Sequence, residues 1–342
     1  MRFLPSTLRA LTLSLLSAFP LLAQGVDLTV NHVGIAVGDV PRVTGLRLNF
    51  RDRALERVDG VNVTVWSPYE EGGTGIVRGV ALGLPVTGAA YVDGIGVGVL
   101  GVGARHRMRG IGAGLAGVGS GGQLQGIMVG GLGVGAGGDV TGVGIGGLGL
   151  GSGGSLRGAF LGGLGVGSGQ DVTGLVVAGL GAGASRDITG IVVGGIGAGA
   201  AGNVRGIAIG GVGIGAGGDL TGIAIGGVGV GSGGTLRGIA VGGIGAGAQE
   251  VRGVAIAGFG TGARNVRGAL VAAGWNRLDH GTLRGVTVSS FNQMRGVQRG
   301  LAIGLVNYAE ELHGVQVGLI NIARNNPTGT RVLPIINVHR GE

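Results

Sequence analysis

Gly206-Ile207-Ala208-Ile209-Gly210-Gly211-Val212-Gly213-Ile214-Gly215-Ala216-Gly217-Gly218-Asp219-Leu220-Thr221 is followed at Gly222 by the same pattern again. Its leading glycine recurs at Gly110, Gly126, Gly142, Gly158, Gly174, Gly190, Gly206, Gly222 and Gly238, every 16 residues without a slip. Looser copies run through Gly45, Gly60, Gly79 and Gly94 before that block and through Gly253, Gly268, Gly285, Gly300, Gly314 and Gly329 after it. A period of this size predicts stacked units, none of which can bury its apolar side alone. Helix is excluded for the unit, because each interior glycine costs about 1 kcal/mol relative to alanine.

The expected fold class is therefore all-β, a β-solenoid of glycine-rich coils of about 16 residues. Ile207 and Ile209 alternate, as do Val212 and Ile214, and the two pairs are out of phase across Gly210-Gly211. A corner at the double glycine puts all four on one side, and a second phase break at Arg205-Gly206 brings Val204 to join them. Roughly 18 such coils, stacked at about 4.8 Å, account for the repeats. The alternative is an outer-membrane antiparallel β-barrel with one strand and one turn per unit. That barrel needs a polar lumen and aromatic girdles. An unbroken strand here has apolar residues on both faces, and aromatics make up only 3% of the chain. A barrel also alternates strand direction, which gives a repeat twice as long.

Composition agrees with a packed but unusual core. Of 342 residues 88 are glycine, against a usual share near 7%, while the 44% apolar content argues against disorder. The net charge of +8 comes from 25 basic residues, all arginine, against 17 acidic ones. The arginines are spread along the chain without a basic block or stacking aromatics, which argues against a nucleic-acid partner. There is no cysteine, so disulfides, thiolate metal sites and a lipid-anchored cysteine are excluded.

Residues 1–23 combine Arg2 and Arg9, an apolar run from Leu11 to Leu22 and Ala23 as a small residue before a cut. They predict a secretory signal peptide with a mature start at Gln24. Residues 24–75 are poorer in glycine and hold Arg47, Arg51, Asp52, Arg53, Glu56 and Arg57, which predicts an N-terminal capping region with a polar end. The glycine-rich array follows over 76–284, and 285–342 form divergent repeats and a C-terminal cap.

In that last region the units read Gly300-Leu301-Ala302-Ile303-Gly304-Leu305-Val306-Asn307 and Gly314-Val315-Gln316-Val317-Gly318-Leu319-Ile320-Asn321. The motif Gly-apolar-Gln-apolar-Gly-Leu-apolar-Asn resembles the exported surface-repeat proteins of leptospires and other bacteria. It covers about 45 residues in strict form, and the glycine-doubled middle departs from it. The resemblance implies export and a location at the outer membrane, the cell surface or the periplasm, and it brings no catalytic residues.

Candidate chemistry is sparse. His32, His106, His280, His313 and His339 are scattered, with no pair at metal-ligand spacing. Gly151-Ser152-Gly153 and Gly167-Ser168-Gly169 recur with the array and read as turns, not as esterase elbows. Asp139, Asp171, Asp187 and Asp219 each stand three residues before a register glycine. They read as Asx-turns, because calcium-binding rolls use a nine-residue unit. No metal and no cofactor are expected. Trp66, Tyr69, Glu70 and Glu71 gather near arginines and are the one place where an enzyme reading has residues to use.

Arginine stands before the register glycine at Arg237, Arg252, Arg267 and Arg284. On stacked coils these form a column of like charges about 5 Å apart, a candidate anion-binding stripe for envelope polyanions. The functional expectation is a non-enzymatic structural or interaction protein of the bacterial cell envelope, with self-association through open strand edges. The alternative is an outer-membrane pore.

Overall fold

The computed structural model describes residues 25–68 and 73–339. The predicted leader at 1–23, together with Tyr69, Glu70 and Glu71, lies outside the described residues. The chain is a β-solenoid of about 17 turns with a period of about 16 residues. The barrel alternative is overturned, because successive coils run parallel: Val204–Gly210 pairs in register with Leu220–Gly226, and Gly213–Ala216 with Gly229–Ser232. The chain divides into two compact units, residues 1–154 and 155–342.

The phase reading of the coil is corrected. Val204, Ala208, Gly210, Ile214, Ala216 and Leu220 are buried, whereas Ile207, Ile209 and Val212 face out, Val212 with 48% of its surface exposed. The buried positions keep one parity throughout, so no phase break occurs. Instead, one residue that would have pointed inward is turned outward at each of three corners, Gly206, Val212 and Gly218. The three sides between them offer two, two and one inward positions. The last takes the bulkiest residues, Leu220 and Leu236, both fully buried. Each of the others pairs one position of variable size, as in the column Phe160, Val176, Val192 and Ala208 or at Ile214 and Val230, with a small neighbour such as Gly162, Ala178, Gly210 or Ala216. A narrow coil has no room inside for two isoleucines per side, so the larger aliphatics are displaced outward.

The register glycine has a steric cause. Gly206 has φ +123°, a region that L-residues rarely adopt, and a Cβ there would sit far inside van der Waals contact of the Gly190 carbonyl oxygen. The same clash repeats one coil on, at Gly222 against Gly206. Corners continue the ladder instead of breaking it: Val212 N–H donates to Ile196 O at 2.6 Å and Gly218 N–H to Gly202 O at 2.8 Å. Backbone groups are thereby satisfied without side chains.

Unit 1 begins with an antiparallel hairpin, Val26–Val30 against Val33–Val37, turned at Asn31 (φ 53°) and His32 (φ 65°), the two left-handed residues of a tight hairpin turn. The parallel array starts where Val33–Val37 pairs with Arg42–Asn49, inside the predicted cap. The expected polar end is not what the hairpin presents: Leu28 and Val30 are 68% and 77% exposed. The polar residues of this region fold inward instead. Arg47 stands in the column of Ala36, Asn62 and Ala81 and is fully buried. It donates to Val40 O at 2.8 Å, Asn62 Oδ1 at 2.9 Å and Asp39 at 2.8 Å, and pairs with buried Asp52. Asn49 and Thr64 donate to the same Asp52 carboxylate at 2.5 and 2.8 Å. Every charge in this cluster is partnered, as burial demands.

Unit 2 contains the later coils and ends in Val332–His339, antiparallel to Val306–Ala323. Gly329 leaves the register and lies in the 3-10 turn Thr328–Thr330. The Asn of the C-terminal motif fills the inward column held by Ile214, Val230 and Ala246 in earlier coils, continuing through Thr261, Asn276, Asn292, Asn307 and Asn321. Asn292 Nδ2 donates to Asn307 Oδ1 at 2.8 Å, and Asn307 Nδ2 to Asn321 Oδ1 at 2.7 Å. The same amides also cap the corner carbonyls Ile303 O at 2.9 Å and Val317 O at 3.0 Å.

Candidate functional site

The position before the register glycine points outward on every coil of unit 2. Parallel register brings Arg237, Arg252, Arg267 and Arg284 into one exposed column, as the spacing predicts. The column continues through Arg299 to His313, two residues the sequence reading left out although both precede a register glycine. If the guanidiniums stood at the strand spacing in water, each adjacent pair would repel by about 0.9 kcal/mol. Splaying lowers that figure. The fold tolerates such a term, but an anion bridging several arginines removes it at several places together.

The arginines differ in their neighbours. Arg237 lies 3.5 Å from Asp219, and Arg252 grips Glu250 through two bonds of 2.9 and 3.1 Å. The Arg252 hydrogen bond holds the Glu250 carboxyl below its ordinary value, against desolvation, and the charges of Arg252, Arg267 and Arg237 help. Arg267, Arg284 and Arg299 have no ion pair among the described residues.

Between Arg267 and Arg284 the coil changes length. The step from Gly268 to Gly285 is one residue longer than the period, and the register slips between Ala263 and Val266, near His280 at φ 53°. Such bulges re-aim side chains. Here the bulge opens a polar recess of about 190 Å³ lined by Arg267, Arg284, Asn265, Thr282 and Glu250. Thr282 N–H donates to Asn265 Oδ1 at 3.1 Å, leaving the Asn265 amide NH2 for a ligand. Two cations, an amide and a hydroxyl in one recess suit a phosphate, sulfate or carboxylate, a fit opposed by the Glu250 carboxylate, whose charge Arg252 offsets through its two bonds.

On the far side of the register glycine the exterior is aliphatic. Ile191, Ile207, Ile223 and Ile239 form one outward column, and Ile196, Val212, Val228 and Ile244 form another at the corner, with exposures of 37–56%. Reading the phase from bulk concealed these columns, since nothing in the alternation itself says which parity faces in.

The aspartates of the array tie neighbouring coils together. Asp187 Oδ1 accepts the Asn203 N–H at 2.7 Å, and Asp219 Oδ1 accepts the Thr235 N–H at 2.8 Å. These bonds span one coil, so the expected local Asx-turn becomes a coil-to-coil ladder. His313 and His339 meet edge to face at 5.6 Å, and His313 Nε2 lies 2.6 Å from Glu311. Among the described residues, no three or more His, Asp or Glu side chains converge as a metal would need. Trp66 is exposed on the surface of unit 1. Comparison with protein-family models, with curated proteins and with solved structures gives no match.

Proposed function

We propose that this chain is an exported, non-enzymatic interaction protein of the bacterial cell envelope, and that unit 2 binds acidic envelope components along its arginine column. The observation that carries the reading is the uninterrupted run of Arg237, Arg252, Arg267, Arg284 and Arg299 in register. The fold does not require arginine there, because the same position is Thr173, Thr189 and Thr221 in other coils of unit 2. Five arginines at strand spacing cover about 19 Å, a span over which a polyanion makes several weak contacts at once. Export rests on the leader-like residues 1–23.

The test is binding to deacylated lipopolysaccharide, an acid-bearing polysaccharide without lipid, across a salt series. Affinity should fall steeply with salt, given a screening length near 8 Å at physiological ionic strength. It should drop at least about tenfold in the double variant Arg252→Thr/Arg267→Thr, which uses a residue that other coils accept. Equal binding by both proteins overturns the reading. Recovery of the protein in the cytoplasmic fraction after expression of the full chain would overturn export.

A further inference from the structure

Resting on that reading, we infer that the preferred anion is the head of an amphiphile, and that unit 2 holds an acyl-chain groove next to its arginine column. The groove follows from the corner residues. Along unit 2 the corner reads Val228, Ile244, Phe259, then Gly274 and Ser290, then Leu305 and Leu319. Beside the small corner residue Ser290, with Ala273 and Gly304 in its floor, lies a depression of about 630 Å³, walled by Val288, Ile303, Leu305, Val317, Leu319 and Ile335. Its walls are almost entirely aliphatic, and Leu305 and Leu319 are 55% and 68% exposed there.

A second observation falls on the same groove. Ile335 has φ +68° and is 74% exposed. The left-handed region is a steric outlier for a β-branched residue, and burial within this chain does not offset it. The register slips opposite it, between Gly318 and Asn321, and such a bulge re-aims a side chain, here toward the groove that Ile335 lines.

Charge selects the occupant. The strands that wall the groove with Val288, Ile303 and Val317 present Arg284, Arg299 and His313 four residues earlier, across the register glycine. Four residues of strand span at most about 13 Å, and Val286 and Leu301 bridge the interval with an aliphatic surface. A cationic edge, an aliphatic path and an aliphatic trough in that order match a phosphate-bearing lipid lying across the coils, with its phosphate on the arginines and its chain in the groove. A sugar polyanion fits the first part and leaves the trough empty.

The experiment measures binding of the full chain to dodecyl phosphate below its micelle concentration, with inorganic phosphate and dodecyl maltoside as comparisons. Each buried methylene raises affinity roughly fourfold, so dodecyl phosphate should bind at least about 100-fold tighter than inorganic phosphate. Leu305→Ser/Leu319→Ser, at exposed positions that leave the core intact, should remove most of that gain. Arg284→Thr/Arg299→Thr should weaken dodecyl phosphate about tenfold and leave dodecyl maltoside unchanged. Dodecyl phosphate binding that ignores the leucine pair, or dodecyl maltoside binding as tightly as dodecyl phosphate, overturns the lipid site. The deacylated lipopolysaccharide arm separates the two ideas. Its dependence on Arg252 and Arg267 stands or falls without reference to the groove.

Discussion

The outward position before the register glycine reads Asp59, Arg78, Asp93, Arg109 through consecutive coils of unit 1 and Arg237, Arg252, Arg267, Arg284, Arg299 through consecutive coils of unit 2. The backbone at this position is the same in both, a strand residue leading into a glycine at φ near +120° to +143°. In unit 1 alternating signs neutralise each other along the column, and Asp93 also takes Arg107 at 3.4 Å. In unit 2 the same geometry stacks like charges. The difference teaches that the fold leaves the sign of this column free. Under the function proposed above, the run of arginines answers to an anionic partner, since packing accepts a neutral, an alternating or a like-charged column.

The sharpest way to break the comparison is to remove the frame both columns share. In Gly79→Ala and Gly253→Ala the new Cβ meets the carbonyl oxygen of the preceding register glycine, Gly60 or Gly238, at a positive φ. Each substitution should cost about 4 kcal/mol in urea unfolding. Tolerance of either one would mean that the two columns do not rest on one steric rule.

Next come the interiors beneath the columns, which the two units build from different chemistry. Arg47→Met in unit 1 strands buried Asp52 and should cost about 3 kcal/mol or more. Asn292→Ala in unit 2 leaves Asn307 Oδ1 without its donor, and Ile303 O with the Ser289 N–H alone, and should cost about 2–3 kcal/mol. An Asn292→Ala protein as stable as the parent would make the amide ladder incidental.

A smaller effect tests the columns themselves. Arg267→Asp places one acid between Arg252 and Arg284, as Asp93 stands between Arg78 and Arg109 in unit 1. It should raise stability by about 0.5 kcal/mol while weakening deacylated lipopolysaccharide binding. Asp93→Arg does the reverse in unit 1, placing three arginines in register, and should lose about 0.5 kcal/mol. Parallel calorimetry and binding on the two variants read both signs. If stability and binding moved together, charge repulsion would not be the cause.

The smallest effect concerns acid. The Asn203 N–H, aided by the Asn203 amide and Arg205 and opposed by desolvation, holds the Asp187 carboxyl below its ordinary 3.8. A lowered carboxyl contributes fully above its unfolded-state value, and that contribution is lost as pH falls through the lowered one. Asp187→Asn keeps the ladder in the form that Asn203 already uses one coil on, donating to Asp187 and accepting from Asp219 at 2.8 Å. The variant should unfold less steeply between about pH 4 and pH 2 and match the parent within about 0.5 kcal/mol near neutrality.

Sequence by itself determined the repeat, the parallel stacking and the register. A glycine returning every 16 residues is a steric demand of the backbone, and steric demands at fixed spacing are written in one dimension. Once the register is known, Arg237, Arg252, Arg267 and Arg284 must form a column, and the notation of one residue before a glycine extends it to Arg299. The tertiary structure decided which parity faces inward. Isoleucine alternating with alanine or glycine describes a core lined by the isoleucine as well as one lined by the small residue, and only the width of the closed coil chooses. That width put Ile207, Ile209 and Val212 outside, while the acceptors Asp39, Asp52 and Asn62 hold Arg47 inside near the start of unit 1, and the groove forms where Ala273, Ser290 and Gly304 meet. The recess between Arg267 and Arg284 was hidden for a related reason. It depends on where one extra residue bulges, and a bulge is set by the strands on either side of it.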